Sequence, residues 1–488
     1  MHTSVIHGFE PESVFYFFEQ ISAIPRGSGN ESGVADYLCA FARERGLSCL
    51  RDKNNNVLIR KPATAGREQD APLLFQGHTD MVCEKNGDTV HDFLCDPIKL
   101  HQEGNRLFAE GTTLGGDDGI AVAMMLALLN GEIPDHPALE CLFTTEEETG
   151  MGGAMGFDYS ALRARHMINL DSEEEGQMTA GCAGGIRTDL RVPVTTAPGD
   201  GTLCRVSLTG LCGGHSGENI HCGRANANLL LARLLWAART EVPFRLVSIA
   251  GGSKDNAIPR ECEAIVSVQN PAALSMRLMA LADEVAGELV PADRGCTVRC
   301  EVTGTDAGAL SDPMDEASTT RVLAVLRGLP NGVLAMSHEV EGLVEFSRNL
   351  GVVRMAPGAV ELVLSSRSSR DSQLDASTQA LDALASLCGG TARHYSRYPG
   401  WSYAPTSAVR DAYAAAYEAL YGKKLRVEVI HAGLECGYIR RQLPDMDMIS
   451  VGPDMQGIHS PDEVLYLDSV ARVWRTLERL IADWHVGA

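Results

Sequence analysis

The sequence has too little positive charge for a protein that binds nucleic acid or an anionic membrane. Its 488 residues carry 42 Lys and Arg against 64 Asp and Glu, which gives a formal net charge of −22. Basic patches are the usual footprint of such partners, so neither is expected. No apolar run approaches the ~20 residues that a membrane span requires. Residues 1–7 lack a basic region followed by an apolar stretch, so we expect no signal peptide and a cytoplasmic location.

Two common cofactor motifs are also missing. The fourteen cysteines include no Cys-x-x-Cys pair. The pair Cys296-x-x-x-Cys300 has no second pair or nearby His to complete a zinc knuckle. The glycine-rich stretch 111–119 lacks the Gly-Lys-Ser/Thr of a phosphate-binding loop. A thiolate zinc site and a bound nucleotide are therefore not expected.

What the chain does contain is an alternation of strand-like and helix-like segments at both ends. Amphipathic periodicity predicts helices over 12–24 and 32–45, and an apolar segment predicts a buried helix over 120–129. Short apolar runs predict strands at 56–60, 72–76, 138–144, 166–170, 426–430 and 446–451. This alternation indicates an α/β fold with a mostly parallel central sheet flanked by helices.

The middle of the chain has a different texture. Alternating apolar and polar runs interleave there with helical stretches, which indicates an α+β domain with antiparallel sheets. We expect residues 1–185 and 394–488 to form one discontinuous domain, with 186–393 inserted as a lid. At about two hundred residues the insert has room for two similar lobes, although no clean repeat is visible in the sequence.

Acid- or His-bearing segments follow several of the predicted strands. The set comprises His78-Thr79-Asp80, residues 115–119, Glu147-Glu148, residues 169–172 and, far downstream, residues 459–463. Function in parallel sheets collects at the carboxyl ends of the strands. Two His and several carboxylates at such ends are the ligands that a pair of divalent ions needs. Any single segment could be a solvated strand end, but the ordered set indicates a hydrolytic metalloenzyme.

These blocks resemble the dinuclear metallo-exopeptidases, a family that includes carboxypeptidases, aminoacylases and dipeptidases. Within it the resemblance is strongest to the aminoacyl-histidine (Xaa-His, or cytosol non-specific) dipeptidases. The resemblance runs nearly end to end and rests on residues 77–86, 111–119, 169–176, 213–217, 431–437 and 459–463. Gly116 and Asp118 depart from the family pattern, which has Ala and Asn there.

The resemblance implies a dinuclear metal site. One ion would be held by His78 and Asp171, a second by Glu148 and His459, and Asp117 would bridge them. Zinc is the first expectation for both ions, with cobalt or manganese as alternatives because all three accept mixed His and carboxylate ligands. The family also has a cis peptide after the bridging Asp, here between Asp117 and Asp118.

The resemblance further implies a catalytic and a substrate-binding set. Glu147 would be the general base, with Asp80 orienting the His78 imidazole, and a hydroxide bridging the ions would attack the scissile carbonyl. His215, on the inserted domain, would stabilise the oxyanion. Asn256 and Arg367 would contact the substrate, with Arg370 as the competitor of Arg367. His431 and Glu435 lie in a matching block but have no metal role that we can derive, and contact with a substrate terminus is the alternative for them.

We therefore expect a metal-dependent hydrolase of dipeptides with a free N-terminus, including Xaa-His and carnosine-like dipeptides. Its partner is a small peptide, and a homodimer through the lid domain is a further expectation. One alternative is an aminoacylase, carboxypeptidase or tripeptidase on the same scaffold. A second alternative, from another class, is a metal-binding assembly protein without catalytic activity.

Overall fold

The computed structural model describes residues 5–303 and 312–487, which form two compact units. The first unit comprises residues 1–181, 402–429 and 434–488, and the second comprises 182–401 and 430–433. The expectation of a catalytic domain over 1–185 and 394–488 with a lid over 186–393 stays a prediction.

Helices and strands follow one another along most of the chain. The helices are α1 (Glu12–Ser22), α2 (Ser32–Glu44), α3 (Gly116–Asn130), α4 (Gly152–Gly156), α5 (Ala227–Arg239), α6 (Pro271–Ala286), α7 (Glu316–Gly328), α8 (Asp371–Leu387), α9 (Ala408–Tyr421), α10 (Glu435–Gln442) and α11 (Leu467–Asp483). The strands are β1 (Ser48–Arg51), β2 (Val57–Lys61), β3 (Leu73–His78), β4 (Leu100–Glu103), β5 (Arg106–Ala109), β6 (Leu139–Thr144), β7 (His166–Asn169), β8 (Gln177–Cys182), β9 (Gly184–Pro193), β10 (Thr202–Thr209), β11 (Gly214–His215), β12 (Phe244–Gly251), β13 (Ala257–Ile258), β14 (Cys262–Val268), β15 (Thr297–Val302), β16 (Gly332–Met336), β17 (Val344–Ala356), β18 (Ala359–Ser368), β19 (Thr391–Tyr398), β20 (Arg426–Ile430), β21 (Asp447–Ser450), β22 (Met455–Gln456) and β23 (Val464–Tyr466).

The first unit is built on a mixed sheet with the order β1-β2-β6-β3-β7-β21-β8-β20. The central strands β6, β3, β7 and β21 run parallel, whereas β1, β2 and β8 pair antiparallel with their neighbours. Both β3 and β6 are buried along their whole length, as is usual for parallel strands in the centre of a sheet. The predicted α/β class is confirmed, with the parallel pairing confined to the centre of the sheet.

Helix α3 forms much of the core of this unit. Every residue from 116 to 129 is buried, which explains why the segment is apolar nearly all round rather than amphipathic. Its first residues, Asp117 and Asp118, do not have helical backbone angles, and the peptide between them is cis, as the resemblance implied. The regular helix therefore begins after the two acids.

The second unit contains two interleaved lobes in one continuous sheet. Strands and helices β10-α5-β12-β14-α6-β15 form a βαββαβ lobe with the strand order β15-β10-β14-β12. The same pattern recurs as β9-α7-β17-β18-α8-β19, with the order β17-β18-β9-β19. The first lobe is inserted between β9 and α7 of the second, and β12 pairs with β17 to join them. The insert thus contains two similar lobes, as its length allowed.

The predicted helices and strands named above are all present, with ends shifted by a few residues. The sequence pattern also predicts helices over 225–238, 275–289, 377–387, 406–421 and 468–484, which correspond to α5, α6, α8, α9 and α11. Helices α4, α7 and α10 were not predicted. Within the part of the chain that the structure describes, no helix combines the length and apolar character needed to cross a bilayer.

Candidate metal centre

The acidic and His side chains gather where three parallel strands of the first unit end. The register pairs His78 with Thr144, and Gln76 with both Leu142 and Asn169. His78 therefore closes β3, while Glu147 and Glu148 follow the end of β6 and Asp171 follows the end of β7. This is the sheet edge at which the sequence pattern placed them.

Asp117 lies between two histidines that are distant in sequence. One carboxylate oxygen is 3.1 Å from Nε2 of His78, and the other is 3.2 Å from Nε2 of His459. Each His has a further carboxylate beside the same nitrogen: Asp171 at 3.7 Å from His78, and Glu148 at 3.0 Å from His459. The Asp117 carboxylate thus lies between two pairs of side chains, each made of one His and one further carboxylate.

Ligand atoms in this cluster are close enough to share ions. Those of His78, Asp117 and Glu148 lie within 4.8 Å of one another, and so do those of His78, Asp118 and Asp171. One oxygen of Glu148, Oε1, is buried without a hydrogen-bond partner among the described residues. Such an atom is costly to leave unpaired unless a cation binds it. The cluster therefore fits a pair of divalent ions.

The fully buried Asp80 carboxylate holds three parts of the site together. It accepts hydrogen bonds from the Ser28 hydroxyl at 2.7 Å and from the backbone N–H groups of Glu147 and Glu148 at 3.1 and 3.3 Å. Its Oδ1 is also 3.4 Å from Nδ1 of His78. The backbone carbonyl oxygen of Asp80 is nearer to the same nitrogen, at 3.2 Å. Asp80 therefore lies beside the imidazole through two oxygens, and its carboxylate holds the turn that carries both glutamates.

Burial and crowding perturb the titration of the cluster. Burial raises the pKa of Glu147 to about 7, with the neighbouring charges of Glu148 and Asp117 acting in the same direction. Burial likewise raises the pKa of Asp171 well above its usual value. The pKa of His459 rises to about 10 because its ring hydrogen-bonds to Asp117 and Glu148. The cluster holds more acidic than basic side chains, so it can accommodate the positive charge of bound cations.

Glu463 is a site residue whose role the sequence did not reveal. Its buried carboxylate accepts hydrogen bonds from four successive N–H groups, those of residues 114–117, at 2.7, 3.0, 2.8 and 3.2 Å. Glu463 lies in the same short block, 459–463, as His459. That block therefore supplies two side chains to the site. The only sequence signal was membership of that block.

Arg26 is a second residue that sequence reasoning missed. Its guanidinium is buried and donates to the carbonyl oxygens of Thr79 at 3.0 Å and Asp80 at 3.1 Å, and also to that of Gly115. Gly115 has a φ of +69°, and a Cβ there would meet the Arg26 side chain. Arg26 therefore joins the loop after His78 to the loop before Asp117.

The second unit brings together the residues expected to contact the substrate. His215 lies on β11, which pairs with β13 beside Asn256, and the N–H of Ser216 donates to the Asn256 carbonyl at 2.8 Å. Burial lowers the pKa of His215, and the charge of Arg367 adds to the effect. Arg367 donates through Nη1 to the Tyr398 hydroxyl at 3.2 Å.

Arg367 and its competitor Arg370 differ in their partners. Arg370 is engaged by Glu339 at 3.2 Å and Glu345 at 3.4 Å. In contrast, Nε of Arg367 is buried and has no hydrogen-bond partner among residues 5–303 and 312–487. Of these two arginines, Arg367 is thus the one with a buried donor that has no hydrogen-bond partner among the described residues.

All seven residues predicted for the metal site and its catalysis come together in the first unit: His78, Asp80, Asp117, Glu147, Glu148, Asp171 and His459. The three predicted for the oxyanion and the substrate, His215, Asn256 and Arg367, lie in the second unit.

Comparison with known proteins agrees with the motif resemblance. Residues 74–483 match the profile of peptidase family M20/M25/M40. The chain is 39% identical over 484 residues to the cytosol non-specific dipeptidase of Escherichia coli K12, covering 98% of this chain and 99% of that protein. It superposes on the crystal structure of aminoacylhistidine dipeptidase from Vibrio alginolyticus with a TM-score of 0.95 and 37% identity, over 100% of this chain and 99% of that one.

A more distant match concerns the fold alone. The aminopeptidase PepT of Bacillus cereus aligns with a TM-score of 0.54 at 14% identity, over 97% of this chain and 98% of that one. The motif resemblance is confirmed by the profile match and by relatives aligned over nearly the whole length. The chain therefore belongs to peptidase family M20/M25/M40.

Proposed function

We propose that this protein hydrolyses dipeptides with a free N-terminus, Xaa-His and carnosine-like dipeptides among them, in a metal-dependent reaction. The observation that carries the proposal is the placement of Asp117 between His78 and His459, with Glu147 beside them. The names of the relatives, a cytosol non-specific dipeptidase and an aminoacylhistidine dipeptidase, support the substrate class.

The metal ligands in this proposal are those of the cluster. His78 and Asp171 would hold one divalent ion, Glu148 and His459 the other, and Asp117 would bridge the two. Mixed imidazole and carboxylate ligands suit zinc, which we propose first, and also cobalt and manganese. The buried and unpaired Oε1 of Glu148 supports the assignment, since a buried acceptor needs a cation or a donor.

Glu147 is proposed as the general base. Two divalent ions at these ligands would polarise the scissile carbonyl and lower the pKa of a water to near neutrality. Glu147 then accepts the proton of the attacking water and delivers it to the departing amine. Burial raises the pKa of the Glu147 carboxyl, which makes its carboxylate a stronger base than that of a solvated glutamate. Asp80 keeps the Glu147 backbone in place through its hydrogen bond at 3.1 Å.

The second unit supplies the remaining roles in this proposal. His215 is proposed as the oxyanion donor and Asn256 as a substrate contact. Arg367 is proposed to bind the C-terminal carboxylate, since a guanidinium fork can engage both oxygens. Its unpaired Nε supports this choice over Arg370, whose guanidinium already pairs with two glutamates. A cytoplasmic location and a homodimer formed through residues 186–393 complete the proposal.

The experiment that tests the function uses purified protein stripped of metal and then reconstituted with zinc, cobalt or manganese. The substrates are β-alanyl-histidine, an α-linked Xaa-His dipeptide, their N-acetylated analogues and a tripeptide. We expect metal-dependent cleavage of both dipeptides and none of the acetylated forms. Turnover of the acetylated substrates alone would indicate an aminoacylase on the same scaffold. Two bound ions with no turnover of any substrate would favour the non-catalytic assembly protein.

A further inference from the structure

Glu435 is a buried acid next to the metal centre that the proposed mechanism does not use. It begins α10 and has no exposed surface. It accepts hydrogen bonds through Oε2 from the Gln76 amide at 2.6 Å and from the Thr144 hydroxyl at 2.7 Å. Burying a carboxyl group costs free energy of folding. The two short side-chain hydrogen bonds offset part of that cost and indicate that Glu435 holds its two partners in place.

The two donors to Glu435 stand on the strands that carry the site. Gln76 lies two residues before His78 on β3, and Thr144 is the last residue of β6, three before Glu147. The two side chains also touch each other, since the Gln76 amide is 3.1 Å from the Thr144 hydroxyl. The single atom Oε2 of Glu435 therefore links the end of β3 to the end of β6.

The hydrogen-bonded chain continues to a third strand end. The Asn169 amide donates to Oε1 of Gln76 at 2.7 Å, and the Asn169 side-chain oxygen accepts from the N–H of Asp171 at 3.4 Å. Gln76 and Asn169 are both fully buried. A continuous chain of polar side chains thus runs from Glu435 through Gln76 and Asn169 to the backbone of Asp171.

We propose that Glu435 is a positioning residue for the ion held by His78 and Asp171. Its single acceptor oxygen fixes Gln76, and Gln76 in turn fixes Asn169 and the turn of Asp171. This inference rests on the metal ligands proposed above and extends them to a residue on α10 that acts on those ligands through Gln76. Outer hydrogen bonds of this kind tune metal affinity because they hold the direct ligands in place.

The test compares two substitutions at this position. Glu435→Gln keeps a side-chain oxygen that can accept from both Gln76 and Thr144, whereas Glu435→Met removes the acceptor at similar volume. Zinc affinities of the two sites are measured by competition with a chromophoric chelator. We expect Glu435→Met to weaken one of the two sites by roughly 10- to 100-fold, and Glu435→Gln to restore the affinity to within about threefold of the unaltered protein.

A matched control separates positioning from general destabilisation. Glu140 is another buried acid, at the opposite end of β6, where it accepts from Arg60 and from the N–H groups of residues 163 and 164. Glu140→Met should lower the free energy of unfolding without changing either zinc affinity. If Glu435→Met does not fold, Gln76→Met replaces it as the test. Gln76 is the next residue in the same series of hydrogen bonds, so this substitution should weaken the same site.

Two outcomes would overturn the inference. Zinc affinities unchanged in folded Glu435→Met or in Gln76→Met would show that the chain positions nothing. Equal weakening in Glu435→Gln and Glu435→Met would show that the charge matters and not the acceptor oxygen. Either result is separate from the proposed function, which stands or fails on metal-dependent dipeptide hydrolysis by the unaltered protein.

Discussion

The Glu463 carboxylate accepts a hydrogen bond from the backbone N–H of Asp117. The same carboxylate accepts those of the three residues before Asp117, all at 3.2 Å or less. Because Asp117 is the carboxylate shared by the two histidines, Glu463→Gln should loosen its placement, since an amide offers one acceptor oxygen where the carboxylate offers two. We expect metal affinity to fall by roughly 10- to 100-fold, measured by chelator competition.

The exposed neighbour Asp462 provides the control for this substitution. Its N–H contacts the Ser460 hydroxyl at 3.3 Å, and its side chain faces solvent. Asp462→Asn should therefore leave metal affinity unchanged. Equal metal affinities in Glu463→Gln and Asp462→Asn would contradict the role given to Glu463.

Removal of the proposed base should separate catalysis from metal binding. Glu147→Gln keeps the size of the side chain and the backbone hydrogen bond to Asp80, but it cannot take up a proton. We expect kcat for dipeptide hydrolysis to fall by about 10²- to 10⁴-fold with both ions still bound, as measured by steady-state kinetics and metal analysis on the same sample. A normal rate in the metal-loaded variant would rule Glu147 out as the base.

His215 should affect the rate without affecting the metal. If it donates to the oxyanion, as the resemblance implies, His215→Ala should lower kcat by about 10²- to 10³-fold. The exposed His221, six residues later, offers a matched control, and His221→Ala should keep the rate of the unaltered protein. Loss of bound metal in His215→Ala, or equal losses of rate in the two variants, would count against the assignment.

The parts of this molecule that could be predicted from sequence are those with local signals. Strand β3 is an apolar run that ends in His78, and the register with β6 and β7 follows from parallel pairing. The family blocks added Asp117 and His459, which are 342 residues apart and yet lie 3.2 Å from each other. Composition or periodicity alone could not have paired them.

The parts that escaped prediction depend on contacts with no local signature. Arg26 acts through carbonyl oxygens of two other loops, and Glu463 through N–H groups about 350 residues away, so neither role leaves a periodic pattern. The two lobes of the second unit were not visible as a repeat because one is inserted inside the other, between β9 and α7. Helix α10 was missed because it is only eight residues long and carries few apolar residues.

Glu435 should also make the stability of the metal-free protein depend on pH. Burial raises its pKa from an ordinary 4.5 to about 8, with the nearby charge of Glu147 adding to the effect. The folded state therefore binds this proton more tightly than the unfolded state does. The resulting stabilisation is fully present below pH 4.5 and is lost as the pH rises through 8.

Glu435→Gln cannot ionise and should lack this loss. Between pH 5 and pH 9 the free energy of unfolding of the unaltered protein should fall relative to that of the variant, by on the order of a few kcal/mol. Urea unfolding of both proteins in the presence of a chelator measures the difference at each pH. The other acids of the cluster titrate in both proteins, so their contributions largely cancel in the comparison. Parallel stability curves across this range would mean that Glu435 already ionises at an ordinary pH in the folded protein.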